Sequence, residues 1–390
     1  MKTRVGKQPR GTWNMGVAAN NTCTAGLLHM RMLMIGAPIT NCGPTSMQIF
    51  YSYSDLLENL YARGTPHSEL GLSPDGSPIV AFRTGGDKLP AILISAGSHS
   101  TEQAGVSAAV ALHDSLETEH QVFIIPSRDP MGMNGLRYVL SQAIPGCPDV
   151  DSPEDLKGLL RDRGQVVLEE EDDFVAQVGE YGYSLRWLYD RFPVGAGFLN
   201  SLRGRRVFFP SLADDIEGSE PFTRAYTFIV TPEGEALHIN RFHDTEWAPS
   251  ESQCVRNLMA GIKPGLTLDL HEYGGDRFWL SARTQRTSEE DEWEERIARA
   301  AVGAVVDAGA ALPDDDYLPH SFFTKLENGA YLLNAGERGE GLNLTDFAAA
   351  KYGLAFTIET GMKCSFAHRV KLSTVAAKTA VNLFEERHRS

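Results

Sequence analysis

The stretch Ala91-Ile-Leu-Ile-Ser-Ala-Gly-Ser-His-Ser-Thr-Glu-Gln-Ala-Gly105 decides the fold class of this chain. It opens with an apolar run that predicts a buried strand, and a helical pattern of alanine, valine and leucine follows Gly105. A buried strand that leads through a turn into a helix is typical of α/β proteins, which bind ligands at the carboxyl edge of the sheet. His99 and Glu102 lie in this turn, and both residue types are zinc ligands.

The same alternation of strand and helix patterns continues along the chain and predicts a single large sheet. Four further apolar runs indicate strands: Ile79–Thr84, Val122–Pro126, Leu266–Leu270 and Leu354–Glu359. Alternation of this kind predicts an α/β fold with a mixed, mostly parallel twisted sheet and helices on both faces. The segment from about 150 to 234 breaks the pattern, and we interpret it as a long insertion or subdomain within one catalytic domain spanning 46–390.

Composition excludes several classes of partner. The net charge of −15 argues against nucleic acid and anionic membranes, both of which would repel the chain. No apolar segment is long enough to cross a membrane. The five cysteines are scattered without a Cys-x-x-Cys pair, which suits a reducing cytoplasm. Residues 1–45 mix basic, small and apolar residues, and we expect a poorly ordered N-terminal extension there.

Three of the predicted strands end on side chains that could form one catalytic site. One strand leads to His99 and Glu102, one to His271 and one to Glu359. A catalytic zinc needs three protein ligands, and His99, Glu102 and His271 supply them for one Zn²⁺ ion. A carboxylate that is not a ligand would then act as a base, which is the role that Glu359 fits.

A second His-x-x-Glu motif, His243-Asp-Thr-Glu246, has the same spacing but a different setting. A motif this short arises about once by chance in a chain of this composition. No predicted strand precedes His243 directly, whereas an apolar strand precedes His99. We therefore expect His243 and Glu246 not to form a metal site.

Together these motifs resemble the zinc carboxypeptidase family, the metallocarboxypeptidases of the funnelin clan. The resemblance covers about 49–390 without the insertion, and it is carried by the following stretches: His99-Ser-Thr-Glu102, Asn240-Arg241, Asp269-Leu-His-Glu-Tyr273 and Phe356-Thr-Ile-Glu-Thr-Gly361. It implies that His99, Glu102 and His271 bind zinc. It also implies that Glu359 is the general base, and that Asn240 and Arg241 bind the terminal carboxylate of the substrate.

The chain departs from the family pattern in one motif, and two of the family's functional residues have no exact match. Asp129-Pro-Met-Gly132 replaces the usual Asn-Pro-Asp-Gly. For the cation that polarises the scissile carbonyl, we predict Arg137, with Arg206 and Arg224 as alternatives. For the tyrosine that covers the bound substrate, we predict Tyr331.

The resemblance implies a zinc hydrolase that cleaves an amide bond next to a free carboxylate, with a peptide as substrate. Arg137 and its spacing from Asp129 are also similar to the succinylglutamate desuccinylase and aspartoacylase group, which would make the chain a zinc deacylase of small N-acyl amino acids. A third alternative is a binding protein on the same fold that lacks catalysis. The complete set of predicted ligands and Glu359 argue against this alternative.

Overall fold

A computed structural model describes residues 47–283, 287–333 and 341–389. The N-terminal extension predicted for residues 1–45 lies outside them. The described residues form the following helices: α1 Tyr53–Tyr61, α2 Gln103–Ser115, α3 Pro130–Met133, α4 Leu136–Ser141, α5 Pro153–Arg163, α6 Ser250–Ile262, α7 Ser288–Asp307, α8 Leu344–Lys351 and α9 Phe366–Arg387. Within these described segments, no helix combines the length and apolar character needed to cross a bilayer.

The described residues also form fifteen strands. In chain order they are β1 His67–Leu72, β2 Pro78–Gly85, β3 Lys88–Ala96, β4 His120–Ile125, β5 Gln165–Glu170, β6 Asp173–Val178, β7 Tyr181–Ser184, β8 Arg206–Pro210, β9 Ala225–Val230, β10 Ala236–His238, β11 Leu266–Tyr273, β12 Trp279–Ala282, β13 Phe323–Glu327, β14 Ala330–Leu333 and β15 Leu354–Gly361. The four strands predicted from apolar runs coincide with β2, β4, β11 and β15.

The predicted α/β fold with a mixed sheet is confirmed. Nine strands form this sheet in the order β1-β2-β4-β3-β11-β15-β12-β14-β13. The four central strands, β4, β3, β11 and β15, run parallel. Antiparallel pairs lie toward both edges, although β12 and β14 pair in parallel. Parallel pairing is thus concentrated at the centre, where both faces of the sheet are covered.

Side-chain alternation along β3 explains why helices cover both faces. Ile92 and Ile94 pack in a buried cluster with residues of α2 and α9. Ala91 and Leu93 point to the opposite face and pack with residues of α6 and α8. Successive side chains of a strand point to opposite faces, so an uninterrupted apolar run needs cover on both. Each fully buried isoleucine or leucine stabilises the fold by about 1.5–3 kcal/mol.

The segment interpreted as an insertion contains a second sheet. Six strands form it in the order β10-β9-β8-β7-β6-β5, spanning 165–238. Its strand β9 packs against the β3–α2 turn, where the Ser100 hydroxyl donates a hydrogen bond to the carbonyl of Ala225. The second sheet therefore lies directly beside the residues that the sequence predicts as metal ligands.

Asp129, in the motif that departs from the family pattern, begins helix α3. Its Oδ1 accepts a hydrogen bond of 3.0 Å from the backbone N–H of Gly132. Only 1% of the residue is exposed, and Oδ2 has no hydrogen-bond partner among the described residues. Burial raises the pKa of Asp129 from 3.8 to about 7. The carboxyl group thus caps a short helix at the cost of being held away from water.

We predict that Asp129→Asn removes part of the pH dependence of stability. The raised pKa means that the folded protein favours the protonated carboxyl, so stability is lost as the pH rises from about 4 through about 7. Asparagine keeps an oxygen acceptor for Gly132 but does not ionise. We expect the variant to be more stable than wild type by about 2–4 kcal/mol at alkaline pH and to differ little at pH about 4.

Urea unfolding at a series of pH values measures this difference. The exposed Asp151 provides the matched control, because Asp151→Asn should leave the pH dependence of the wild type unchanged. Parallel stability curves for wild type and Asp129→Asn would contradict the prediction.

Candidate metal centre and substrate pocket

The turn between β3 and α2 presents His99 and Glu102. Gly97 allows the turn, because its φ is +58° and a Cβ there would lie 2.8 Å from the Ser127 backbone. Glu102 occupies the position that precedes α2, yet its side chain makes no capping hydrogen bond to the helix. Its carboxylate is directed instead to His99, whose Nδ1 lies 2.6 Å from Oε1.

His271 of β11 completes the cluster. Its Nδ1 lies 2.9 Å from Oε2 of Glu102. The ligand atoms of His99, Glu102 and His271 all lie within 4.8 Å of one another, and all three residues are buried or nearly so. The structure thus brings together the three side chains that the sequence predicts as zinc ligands. Two imidazole nitrogens and one carboxylate are the donor set of a catalytic zinc site.

The outer nitrogen of each histidine has its own partner. Nε2 of His271 lies 2.8 Å from Oδ2 of Asp269, and Nε2 of His99 lies 2.9 Å from Nδ1 of His238. Such partners orient the imidazoles, and when they accept from Nε2–H they leave the Nδ1 lone pair for a metal. Sequence patterns did not identify either partner. Asp269 precedes His271 by two positions on β11, and His238, at the end of β10, precedes Asn240 by two positions.

Charges in the cluster favour a bound cation. Burial raises the pKa of Glu102, but His99 and His271 outweigh it and lower that pKa to about 2. Burial lowers the pKa of His271, but Asp269 and Glu102 outweigh it and raise that pKa well above 6.5. Without a metal, a proton therefore balances these carboxylates, and a metal ion that binds here displaces it.

A buried arginine that the sequence analysis missed supports His271 from behind. Arg128, the third residue after β4, donates hydrogen bonds of 3.0 and 2.7 Å to the two carboxylate oxygens of Asp269. Its other terminal nitrogen lies 3.1 Å from Oδ1 of Asn240 and 3.2 Å from Nε2 of His243. Both Arg128 and Asp269 are 1% exposed. Arg128 closely follows a predicted strand, and this position was the available signal.

Glu359 lies beside the metal cluster on the neighbouring strand. It is the register partner of His271 in the parallel pair of β11 and β15, so both side chains project from the same face. Burial raises the pKa of Glu359 to about 8, with His271 opposing the shift and Glu102 adding to it. Its Oε2 is buried without a hydrogen-bond partner among the described residues. A carboxyl group in this state takes up or releases a proton near neutral pH.

These groups open into one large pocket, of about 650 Å³. Beside His99, Glu102, His271 and Glu359, its described lining contains aromatic residues of both sheets, of the segment after β7 and of the loop before β13: Trp187, Tyr189, Phe209, Tyr226, Trp279, Tyr317, Phe322 and Phe323. Arg241 is the one arginine or lysine among the described lining residues. Its side chain also donates hydrogen bonds to the Tyr189 hydroxyl, at 3.3 Å, and to the Asn240 carbonyl, at 3.0 Å.

The predicted pair Asn240 and Arg241 reaches the pocket, but its two members differ. The Asn240 side chain is committed to the metal site, because its Nδ2 lies 3.3 Å from Oδ2 of Asp269 and 3.2 Å from Nε2 of His271. Its Oδ1 accepts a hydrogen bond from the backbone N–H of Leu344. The Arg241 guanidinium is half-buried and packs 5.5 Å from the centre of the Tyr189 ring. Arg241 is the better placed of the two to bind a carboxylate.

The structure does not bring Arg137 to the pocket, which corrects that prediction. Its side chain is 75% exposed on α4 and pairs with Asp149. Neither alternative reaches the site. Arg206 pairs with the buried Glu251, and Arg224 donates hydrogen bonds to backbone carbonyls, including that of Phe50. Arg137 is absent from the described pocket lining, which proximity in sequence to Asp129 did not reveal.

Tyr331 is also displaced from its predicted role. It is fully buried on β14, packs edge-on against Trp279 with ring centres 6.0 Å apart, and is absent from the described pocket lining. Tyr317 lines the pocket instead, with its ring centre 6.1 Å from that of Tyr331. Tyr331 belongs to a strand whose alternation points its side chain into the interior.

The second His-x-x-Glu motif forms no metal cluster within the described ranges. His243 is buried, Glu246 is exposed, and the one metal-type cluster found in these ranges is that of His99, Glu102 and His271. Burial lowers the pKa of His243 to about 3, and the charge of Arg128 adds to the shift. His243 is therefore a neutral imidazole that supports the buried arginine.

Comparison with known proteins finds similarity at the level of structure. No family profile and no curated protein sequence matches this chain. Solved structures that resemble it include a predicted metallopeptidase of Shewanella denitrificans OS217, with 14% identity over 85% of this chain and 90% of the other, at a TM-score of 0.46.

Two further solved structures are similar to about the same degree. One is a metallo-carboxypeptidase of Pseudomonas aeruginosa, with 13% identity over 86% of this chain and 68% of the other, at a TM-score of 0.46. The other is bovine thrombin-activatable fibrinolysis inhibitor, with 14% identity over 88% of this chain and 99% of the other, at a TM-score of 0.44. At these identities and TM-scores the similarity carries no information on function.

Proposed function

We propose that this protein is a zinc-dependent hydrolase that cleaves an amide bond next to a free carboxylate, as a metallocarboxypeptidase does. The observation that carries the proposal is the buried cluster of His99, Glu102 and His271, with ligand atoms within 4.8 Å of one another. Glu359 on the adjacent strand and Arg241 in the same pocket supply the two other groups that this reaction needs.

The three ligands suit zinc in both type and setting. Two imidazoles and one carboxylate leave room for a water or substrate oxygen in the metal's fourth position. When bound there, zinc supplies a Lewis acid that activates water and polarises a carbonyl group. Asp269 and His238 hold the two histidines with Nδ1 toward the site.

Glu359 is the proton carrier in the proposed reaction. A carboxyl group with a pKa of about 8 in the metal-free protein exchanges protons near neutral pH. A bound cation would lower that pKa and so favour the ionised carboxylate. In the ionised form Glu359 accepts a proton from the attacking water. It then delivers this proton to the amine nitrogen as the carbon–nitrogen bond breaks.

Arg241 binds the free carboxylate of the substrate in the proposed reaction. A guanidinium group binds a carboxylate through two parallel hydrogen bonds, which fixes both position and orientation. With the carboxylate at Arg241, the amide next to it is directed toward the metal ligands. Peptides with a free C-terminus and small N-acyl amino acids share this arrangement, and turnover on a panel of each class distinguishes a carboxypeptidase from a deacylase.

We predict that Glu359→Gln keeps the metal and loses activity, whereas His271→Ala loses both. Glutamine preserves the shape of Glu359 but does not accept the proton, so kcat should fall by about 100- to 10,000-fold. Removing His271 leaves two ligands. Metal analysis of the dialysed proteins and amide hydrolysis by the same samples measure the two effects.

The exposed Glu246 of the second motif provides the control, since Glu246→Gln should retain both metal and activity. Normal turnover by Glu359→Gln would refute its assigned role. A wild-type protein that binds no zinc and hydrolyses no amide would support the alternative of a binding protein without catalysis.

We also predict that Arg241→Ala lowers kcat/KM about 10- to 100-fold for substrates with a free carboxylate, because a charge-assisted hydrogen-bonded pair is lost. The same substrates with the carboxylate converted to an amide should respond little to the change. Arg137→Ala is the matched control and should match wild type on both, because Arg137 is exposed outside the pocket. An equal loss on carboxylate and amide substrates would show that Arg241 does not bind the carboxylate.

A further inference from the structure

We propose that the second sheet supplies a recognition surface for the acyl side of the substrate, and that this surface selects a neutral aromatic or large apolar group. The surface consists of Trp187, which follows β7, together with Phe209 of β8 and Tyr226 of β9, and we call it the aromatic wall. The proposal rests on the proposed amide hydrolysis and extends it to the class of substrate.

Trp187 is the element of the aromatic wall most suited to contact a ligand. It lines the pocket with 39% of its surface exposed, although tryptophan is a residue that proteins normally cover. Its ring is held edge-on by Phe228 at 4.9 Å and by Phe209 at 6.0 Å between ring centres. A fixed and exposed indole ring loses little freedom on binding, so it favours a flat or bulky apolar partner.

The aromatic wall begins at a metal ligand. The Tyr226 ring stacks on the imidazole of His99 with ring centres 4.9 Å apart, and Trp187 packs on Tyr226 at 4.7 Å. One ring, that of Tyr226, therefore separates Trp187 from His99, beside which the proposed hydrolysis takes place. This distance suits the group attached directly to the scissile carbonyl.

Arg241 reaches the same metal ligand through different neighbours. Its guanidinium lies over Tyr189, whose ring centre is 4.8 Å from that of His238, and His238 is the partner of His99. Trp187 contacts His99 through Tyr226 instead. With the carboxylate at Arg241 and the amide beside His99, the acyl portion is left to Trp187.

Charge limits what that acyl portion can be. The described lining near the aromatic wall continues with neutral residues of the loop after β8: Ser211, Leu212, Ala213, Ile216 and Ser219. Arg241 is occupied by the carboxylate at the other end. A dicarboxylic acyl group such as succinyl therefore lacks a cationic partner among the described residues and would lose hydration without compensation.

The reaction itself is an ordinary hydrolysis. The carbon–nitrogen bond breaks, the water oxygen bonds to the acyl carbon, and one water proton goes to the amine nitrogen. The aromatic wall takes no part in these steps, so it should act on binding of the acyl group rather than on proton transfer.

A substrate series that changes only the acyl side tests the proposal. We would compare acetyl-Gly-Ala, acetyl-Asp-Ala and acetyl-Phe-Ala, together with acetyl- and phenylacetyl-alanine, with wild type, Trp187→Ala and Trp187→Phe. We expect wild type to favour the aromatic acyl group by about tenfold in kcat/KM, and Trp187→Ala to lose that preference. Trp187→Phe should restore part of it.

Trp247 provides the matched control. It is also 39% exposed, packs against Phe242 at 5.6 Å and is absent from the described pocket lining, so Trp247→Ala should keep the preference. Thermal unfolding of each variant identifies any loss of folding, and Trp187→Phe retains a ring if Trp187→Ala does not fold.

Two further outcomes separate this proposal from the proposed function. If wild type cleaves the series without preference for aromatic acyl groups, or if Trp187→Ala keeps the preference, the aromatic wall proposal is overturned while amide hydrolysis stands. If wild type cleaves none of the series, amide hydrolysis fails. Calorimetric binding of acetyl-phenylalanine and acetyl-glycine to wild type and Trp187→Ala then tests the aromatic wall alone, and equal affinities would overturn it.

Discussion

The buried ion pair between Arg128 and Asp269 is the interaction on which the site depends. It joins the end of β4 to β11 through two hydrogen bonds, of 3.0 and 2.7 Å, and both side chains are 1% exposed. Loss of one partner would leave an uncompensated buried charge, which costs about 3–5 kcal/mol. Asp269 in turn holds His271, and Arg128 contacts Asn240 and His243. The Arg128 guanidinium thus positions His271, a proposed metal ligand, through Asp269. It also holds Asn240 and His243, which follow β10 of the second sheet.

The register of the parallel strands positions the other groups of the proposed site relative to His271. Strand β11 lies between β3 and β15 in parallel pairs, which place Leu270 beside Ala96 and His271 beside Glu359. The proposed metal ligands and the proposed base therefore project from one edge of a sheet whose two faces are both buried. A reacting group needs this kind of support, because a misplacement of about 1 Å can cost about 100-fold in rate.

Sequence patterns predicted the part of the site that sheet geometry determines. His99, Glu102, His271 and Glu359 follow or end apolar strands, and the carboxyl ends of parallel strands meet at one edge. Arg137 could not be placed in this way, because it lies on a short helix whose direction depends on tertiary packing. The aromatic wall was missed for a similar reason. Phe209 and Tyr226 lie on the antiparallel strands β8 and β9, and Trp187 lies in the segment after β7. The position of this sheet beside the first is set by long-range contacts.

The two metal-site histidines are supported unequally, and the second sheet is the cause. His271 has a carboxylate, Asp269, as its outer partner, and its pKa is raised; His99 has an imidazole, His238, and its pKa is lowered, mainly by burial. Because the Glu102 carboxylate accepts from Nδ1–H of the neutral His99 ring, Nε2 of His99 accepts a hydrogen bond from Nδ1–H of His238. A neutral partner increases the basicity of a metal ligand less than a carboxylate does. The second sheet thus reaches the proposed metal centre through His238 of β10, which supports the weaker of the two proposed imidazole ligands.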